Sequence, residues 1–559
     1  MKDLFRKISS NGKTLLFFQQ TNILSAATVI AAAVLVSRFL GIVRYWLLAI
    51  YIKPISDLDL FFAAFRLPDL LFQILVMGTL TTAFIPVITG YLSSGEDRKA
   101  WRSCSIIINL ALLIFALLAL LAFIFTPQLA LVVAPGFTGN PAKTQTLINL
   151  TRIMLSAQVF FIISNFFSAI IQSTKRFLIP ALAPVAYNLG IIIGIVFLSG
   201  NFGVYGPAWG VVLGTILHLV IQIPLVSHLK FHYETVVDLK NEGVREIGKL
   251  LGPRTLGLAI AQLSFTVDTA LASLLPASSI TILNLAQALQ QFPIGVFGAT
   301  IAQAALPTLA EDREKGNLEN FKSTLLTSLH QILFLTMPAA VILIVLRIPM
   351  VRLAFGLGNT NIPWPLTVLT GKTLAVFAVA VAAQSLLNLL VRGFYALRDS
   401  STPVKIGIFA FTASIAFSLT FITVLHWPVW SLALSSTLGD LINFSLLLFF
   451  LDRKLNFDKK NLLLPAVKII LAALATGISL YVPMKLLDQL VFDTTKTVPL
   501  IMLVGTVSLI GLSVYLFFTW LLDIQELKAF LGLIQKVGQI KKVFTPPAEV
   551  IEVSPETYA

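Results

Sequence analysis

The chain has 559 residues, of which 57% are hydrophobic and only 12% charged, with a formal net charge of +14. No water-soluble fold of this length buries so large an apolar fraction, so the surrounding solvent is largely lipid. The basic residues sit in short loops and not on one face, which excludes a nucleic-acid surface, and the single Cys104 excludes a disulfide framework or cysteine-based metal cluster.

The N-terminal "MKDLFRKISSNGKTLLFF" is basic and then apolar, as a signal peptide would be. The apolar run from Ile23 continues past any small-residue cleavage site, so it reads as a retained first span. Runs of about 18 or more apolar residues can cross a bilayer. By that rule fourteen spans are predicted, at 24–50, 61–92, 103–126, 148–173, 179–200, 204–228, 248–275, 281–308, 324–346, 368–396, 403–425, 428–451, 463–485 and 497–522. The fold class is therefore an all-α polytopic membrane protein. With the N-terminus inside, "GEDRKAWR", "STKRF", "EDREKGNLENFK" and "LDRKLNFDKKN" are cytoplasmic, whereas "SGNFGVYGP", "LLPASSI" and "LHWP" lie outside and hold no Lys or Arg. The positive-inside rule then places both termini in the cytoplasm, and "FTPPAEVIEVSPETYA" reads as a disordered tail.

Residues 79–88, "TLTTAFIPVI", resemble residues 300–309, "TIAQAALPTL", and a charged loop follows each. The offset is six spans, an even number, so the halves are parallel repeats about an axis along the membrane normal. The expected organisation is an N-lobe over 1–228, a C-lobe over 229–452, two extra spans over 453–525 and a cytoplasmic tail over 526–559.

Arg38 and Arg44 stand in the first span. Six residues apart on a straight helix, they point about 120° apart and lie about 9 Å apart along the axis, unless Gly41 bends it. Arg44, near the outer end, can reach the headgroups by snorkelling. Arg38 is near mid-span, where facing lipid costs a few kcal/mol, so it is expected to face a polar cavity or an acid. The next span adds Asp59, Arg66 and Asp69; Asp59 and Arg66 are two turns apart on one face. An internal ion pair would account for that spacing, but the surplus of arginine favours an anionic ligand, whose phosphate oxygens suit the guanidinium fork.

"SRFLGIVR", "DLFFAAFRLPDLL", "AFIPV", "APGF", "FPIGVFG" and "FYALRDSSTPVKI" stand in the order and spacing of the MurJ/MviN family. The chain resembles that family over nearly all fourteen spans. The family is similar to a branch of the multidrug/oligosaccharide-lipid/polysaccharide exporter superfamily. The resemblance implies two six-span lobes around a central cavity, and two further spans forming a groove for a lipid tail. It also implies flipping of lipid II, the polyprenyl-pyrophosphate-linked peptidoglycan precursor, to the outer leaflet in support of cell-wall biogenesis and cell shape. Arg38, Arg44, Asp59 and Arg66 match family positions and are the expected substrate-binding residues. The chain departs from the pattern at Tyr45, where the family commonly has Asp, at Phe72 and Gln73, where it often has bases, and at Gln287 and Ala288, where it often has Asp-Arg.

Asp268 in span seven approximately matches a family position associated with cation binding, and Asp440 in span twelve is a second intramembrane acid; both are candidate cation ligands. Arg254, Arg347, Arg352 and Arg392 lie near span ends, where snorkelling accounts for them. His218 and His330 lie in apolar runs and read as packing or lumen-facing residues. No P-loop, nucleophile elbow or metal-ligand spacing occurs, so no enzymatic activity and no resident cofactor are expected; sodium, protons or the membrane potential are the candidate drivers. Partners would be the lipid-linked anionic glycan precursor, membrane lipids and cell-wall synthases. The competing readings are an exporter of another lipid-linked oligosaccharide, a transport-inactive scaffold for cell-wall synthesis, a drug exporter, and a polyprenyl-phosphate glycosyltransferase. The drug exporter would have a more apolar cavity without the arginine pair, and the glycosyltransferase would want a large loop with paired carboxylates.

Overall fold

The computed structural model describes residues 23–74, 84–229, 231–238, 240–241, 243–245, 262–358 and 362–537. Among them there is no β-strand, and the fold is all-helical. Among the described residues eleven helices are long and apolar enough to cross a bilayer, and a twelfth span is the pair Trp364–Val379 and Val381–Ala396, bent by 41°. Helix also occupies the described parts of the other two predicted spans, Asp57–Phe72 with Ile85–Ser93, and 262–273. Their remainders, including 79–83 of the repeat motif and 248–261, lie outside the described residues, as do the basic lead-in 1–22 and the predicted disordered tail. The second half of the repeat forms the helix Thr300–Glu314, immediately after a π-helical turn at Ile294–Ala299.

Helices of 23–228 pack chiefly among themselves, as do those of 279–455, while Lys459–Leu486 and Thr497–Leu521 pack on each other and on Leu318–Val345. The reason is partly glycine. Helices Leu178–Phe202 and Tyr205–Val220 meet through Gly190, Gly194, Gly210 and Gly214. A methyl group on Gly190 would fall 2.3 Å from the Gly214 Cα, and one on Gly194 2.3 Å from the Gly210 Cα. With lipid as solvent, such close backbone approach supplies the packing that hydrophobic burial cannot. Polar side chains add to it. His218 Nδ1 and Ser164 Oγ are 2.5 Å apart, and Gln222 donates to Ser164 and accepts from Ser168, which ties Tyr205–Val220 to Pro141–Ser173.

Two segments gain structure that hydropathy did not foretell. The linker after His228 turns back on the helix Asp97–Ile124 as an extended strap. Asn109 donates to the carbonyls of Glu234 and Val236 at 2.9 Å each, Tyr233 donates to Asn109, and the Glu234 N–H donates to Ser105 at 3.0 Å. Ser103 then donates to Asn241, so the strap's two arms flank one polar stripe. This fixes the linker between the halves to the first half. Asn109→Ala removes three bonds and leaves two carbonyls bare, a loss of about 1–3 kcal/mol. We expect a lower thermal midpoint and new proteolysis between 231 and 238; an unchanged digest would refute the strap. The other segment is the start of the predicted tail. Residues Gln525–Val537 form an amphipathic helix, with Phe530 against Phe334 at 5.9 Å.

The "RDSSTP" turn also acquires a cause. Asp399 accepts from the Ser401 and Thr402 N–H groups at 3.1 and 3.0 Å, from both hydroxyls, and from Lys454. Burial alone would raise its carboxyl, but these donors hold it well below the usual carboxylate range.

Candidate functional site

The first helix, Ile23–Tyr51, carries Arg38 and Arg44 on different sides, as their spacing requires. Arg44 turns toward its own half: Nη1 donates to Asn188 Oδ1 at 3.3 Å. The Asn188 amide in turn donates to the Ser37 carbonyl and hydroxyl at 3.3 and 3.2 Å, so Asn188 pins both the arginine and the helix that bears it. Arg38 turns toward the second half. It is exposed to open space, and its guanidinium lies against the backbone of Gly295, where an added Cβ would sit 2.9 Å from Nη2. Gly295 belongs to the π-helical turn Ile294–Ala299, a geometry that recurs at functional sites. Among the described residues no carboxylate lies within ion-pair distance of Arg38 or Arg44.

The two glycines of "FPIGVFG" differ. A Cβ on Gly298 would press 2.7 Å from the Ser385 Cα, where backbone cannot yield, whereas one on Gly295 meets only the end of a flexible arginine. Gly295→Ala should therefore leave thermal stability within about 1 kcal/mol while displacing Arg38. Transport in that variant is expected to fall several-fold; a well-folded Gly295→Ala with full transport would remove the significance of the contact.

Arg66 crosses between the halves. From the helix Asp57–Phe72 its Nε donates to Thr269 Oγ1 and its Nη2 to Asn284 Oδ1, both at 2.9 Å, with the Phe265 ring 5.7 Å away. It shares a cavity of about 20 Å³, room for one water, with Asp268 and Gln287. Asp268 accepts from Ser436 at 3.2 Å, and Asp440 accepts from Gln384 at 2.5 Å. The two acids thus sit in one polar cluster of the second half, within electrostatic reach of each other and, for Asp268, of Arg66.

Asp59 does something the sequence did not suggest. It is buried, and instead of pairing with Arg66 its carboxylate is taken up by the start of the helix Ser279–Pro293. Oδ2 accepts from the Ser278 N–H at 2.7 Å, and Oδ1 accepts from the Thr281 N–H and hydroxyl at 2.7 and 2.6 Å. A carboxylate at a helix N-terminus satisfies orphan donors and complements the dipole. Here cap and helix belong to different halves. Nearby, the Gly136 N–H of the "APGF" turn donates to Ser273 Oγ at 2.9 Å, and a Cβ on Gly136 would collide with the Ser273 carbonyl at 1.7 Å. Trp46 donates to the Leu357 carbonyl at 2.8 Å, and Tyr45 packs edge-on against Phe355. All four links lie at the end holding the turns around 52–56, 134–140, 274–278 and 356–358. That end is closed.

At the departures from the family pattern, the structure offers replacements. Phe72 is buried and heads an aromatic run through Phe161 (4.7 Å) to Tyr187 (5.2 Å), and Gln73 hydrogen-bonds Asp69. Tyr45 joins the closed end, and Gln287 borders the Arg66 cavity. Thr269, Asn284 and Asn188 were not singled out from sequence, and Gly295 stood out only as part of "FPIGVFG". Being neutral residues that partner charges far away in the chain, the first three carry no local signal.

A profile of the family described as lipid II flippase MurJ matches residues 48–502. A protein named probable lipid II flippase MurJ from Buchnera aphidicola subsp. Acyrthosiphon pisum is 28% identical over 471 residues, covering 84% of this chain and 91% of its own. A solved structure titled lipid II flippase MurJ, inward closed conformation, superimposes with a TM-score of 0.73 at 25% identity, covering 88% of this chain and 98% of its own. An inward-facing multidrug resistance MATE transporter of the MOP superfamily matches at TM-score 0.61 and 15% identity, covering 75% and 94%, which shows a common fold.

Proposed function

The chain belongs to the lipid II flippase family MurJ, and from that premise we infer how its residues carry the substrate. It is a multi-pass membrane protein of the bacterial envelope and an alternating-access transporter of lipid II, serving peptidoglycan synthesis. The chemistry asked of it is binding and release, with no bond made or broken.

The observation that carries the residue-level reading is Arg38, a cation at mid-span with no carboxylate partner among the described residues, resting on the second half at Gly295. Such a charge is costly in lipid and apt for a pyrophosphate. Arg38 and Arg44 bind the pyrophosphate at successive depths. Arg66, held by Thr269 and Asn284, couples the two lobes beside that path. Asp59, Gly136, Trp46 and Tyr45 form the outer closure, which opens as the lobes 1–228 and 229–452 rock about the site. Both termini are cytoplasmic on the loop-charge argument. The Asp268–Asp440 cluster is the place for a coupling sodium ion or proton, and cell-wall synthases are the downstream partners.

The test is complementation of a bacterium depleted of its own flippase. Rescue of growth and shape by this chain, and failure of rescue by a folded Arg38→Ala, Arg44→Ala variant, are the expected outcomes. A folded, membrane-inserted chain that never rescues would favour the scaffold reading, and rescue confined to a strain lacking a different glycolipid exporter would reassign the cargo.

A further inference from the structure

A cavity of about 760 Å³ lies away from the space between the lobes. It opens at the end opposite the outer closure, between the first turns of Leu318–Val345 and Lys459–Leu486 and the amphipathic helix Gln525–Val537. Its walls combine apolar Leu326, Leu464 and Phe457 with charges of both signs. Several of those charges are already committed. Lys322 pairs with Glu319 at 2.8 Å, Asp523 with Lys528 at 3.4 Å, and Asp458 caps its own helix through the Lys460 N–H at 3.1 Å.

What remains is a specific pair of needs. Among the described residues the Lys460 ammonium has no hydrogen-bond partner, and Lys468 spends one of three donors on the Leu522 carbonyl at 2.8 Å. At the cavity wall Glu526 is largely buried. Its Oε1 faces His330 Nδ1 at 3.7 Å, beyond hydrogen-bond reach, and its Oε2 is enclosed without a donor among the described residues. A buried carboxylate oxygen left unpaired is costly, so the cavity calls for a ligand that brings a donor as well as an anion.

We propose that this cavity binds the phosphoethanolamine headgroup of a membrane phospholipid, its phosphate on Lys460 and Lys468 and its ammonium N–H on Glu526. The location at a membrane boundary and the apolar wall beside the charges suit a lipid, with acyl chains leaving past Leu464, which is 48% exposed. A zwitterion fits the mixed charges better than a purely anionic headgroup. A choline headgroup carries no N–H and cannot satisfy Glu526. The site is separate from the arginine path and does not depend on the cargo assignment.

The test is native mass spectrometry of the full-length protein in an equimolar mixture of phosphatidylethanolamine, phosphatidylcholine and phosphatidylglycerol. Retention of phosphatidylethanolamine should exceed that of phosphatidylcholine by about tenfold, the worth of one charge-assisted hydrogen bond. Glu526→Gln should erase that preference, and Lys460→Ala, at an exposed position, should lower retention of both lipids even if the Glu526 variant folds poorly. Excess free phosphoethanolamine should not displace the lipid; displacement would show a soluble ligand and overturn the lipid assignment. Equal retention of the two lipids by the unmutated protein, or a preference that survives both substitutions, would overturn the site.

Discussion

Asp59→Ala is expected to open the outer end of the protein and cut transport by at least about tenfold. The substitution removes three short bonds to a buried carboxylate and leaves two N–H groups of a helix start without partners. Loss of a buried charged hydrogen-bonding group costs about 3–5 kcal/mol. Because donor and acceptor belong to different lobes, that cost falls on the closed form and not on either lobe alone. A population shift of that size exceeds a hundredfold. A cysteine placed at Ser279, buried in the first turn of the capped helix, in a Cys104→Ala background, should become reactive to an impermeant reagent in Asp59→Ala and stay protected otherwise. Gly136→Ala should act in the same direction, since its Cβ cannot coexist with the Ser273 carbonyl. Unchanged protection in both variants would mean that these contacts do not hold the outer end shut.

Arg66→Ala should be the most damaging single change along the path. It removes a half-buried charge that donates to Thr269 and Asn284 and borders Asp268. Arg66→Lys keeps the charge but cannot span two acceptors with a planar fork, so it should recover only part of the loss. Transport is expected to fall at least about a hundredfold for Ala and about tenfold for Lys, taking one to two charge-assisted bonds as the difference. Asn284→Ala should reproduce the Lys phenotype. If Arg66→Lys and Asn284→Ala both transport normally, the inter-lobe coupling assigned to this residue is wrong.

The spans were legible because lipid leaves a strong mark on sequence: each predicted apolar run falls on helix wherever residues are described. The arginines were legible because a charge at that depth needs a reason. Asp59 was not, since helical periodicity suggested Arg66 as its partner, two turns along the same helix. Its actual partners are backbone and hydroxyl donors 219 and 222 residues away. The linker strap escaped for a related reason. An extended polar segment such as 231–238 has no period, and its anchor Asn109 looks like any polar residue in an apolar run. Phe72 shows the converse, a lost base replaced by an aromatic run that only the packing reveals.

If Arg38 and Arg44 conduct the pyrophosphate of lipid II, headgroup translocation in proteoliposomes depends on them. Purified protein is reconstituted with labelled lipid II, and label exposed on the far leaflet is followed, with thermal unfolding as the check on fold. The unmutated protein should translocate, Arg38→Lys should be impaired because it cannot bind bidentately, and Arg38→Ala, Arg44→Ala should be inactive while folded. Full translocation by that folded double mutant would exclude both arginines from the substrate path.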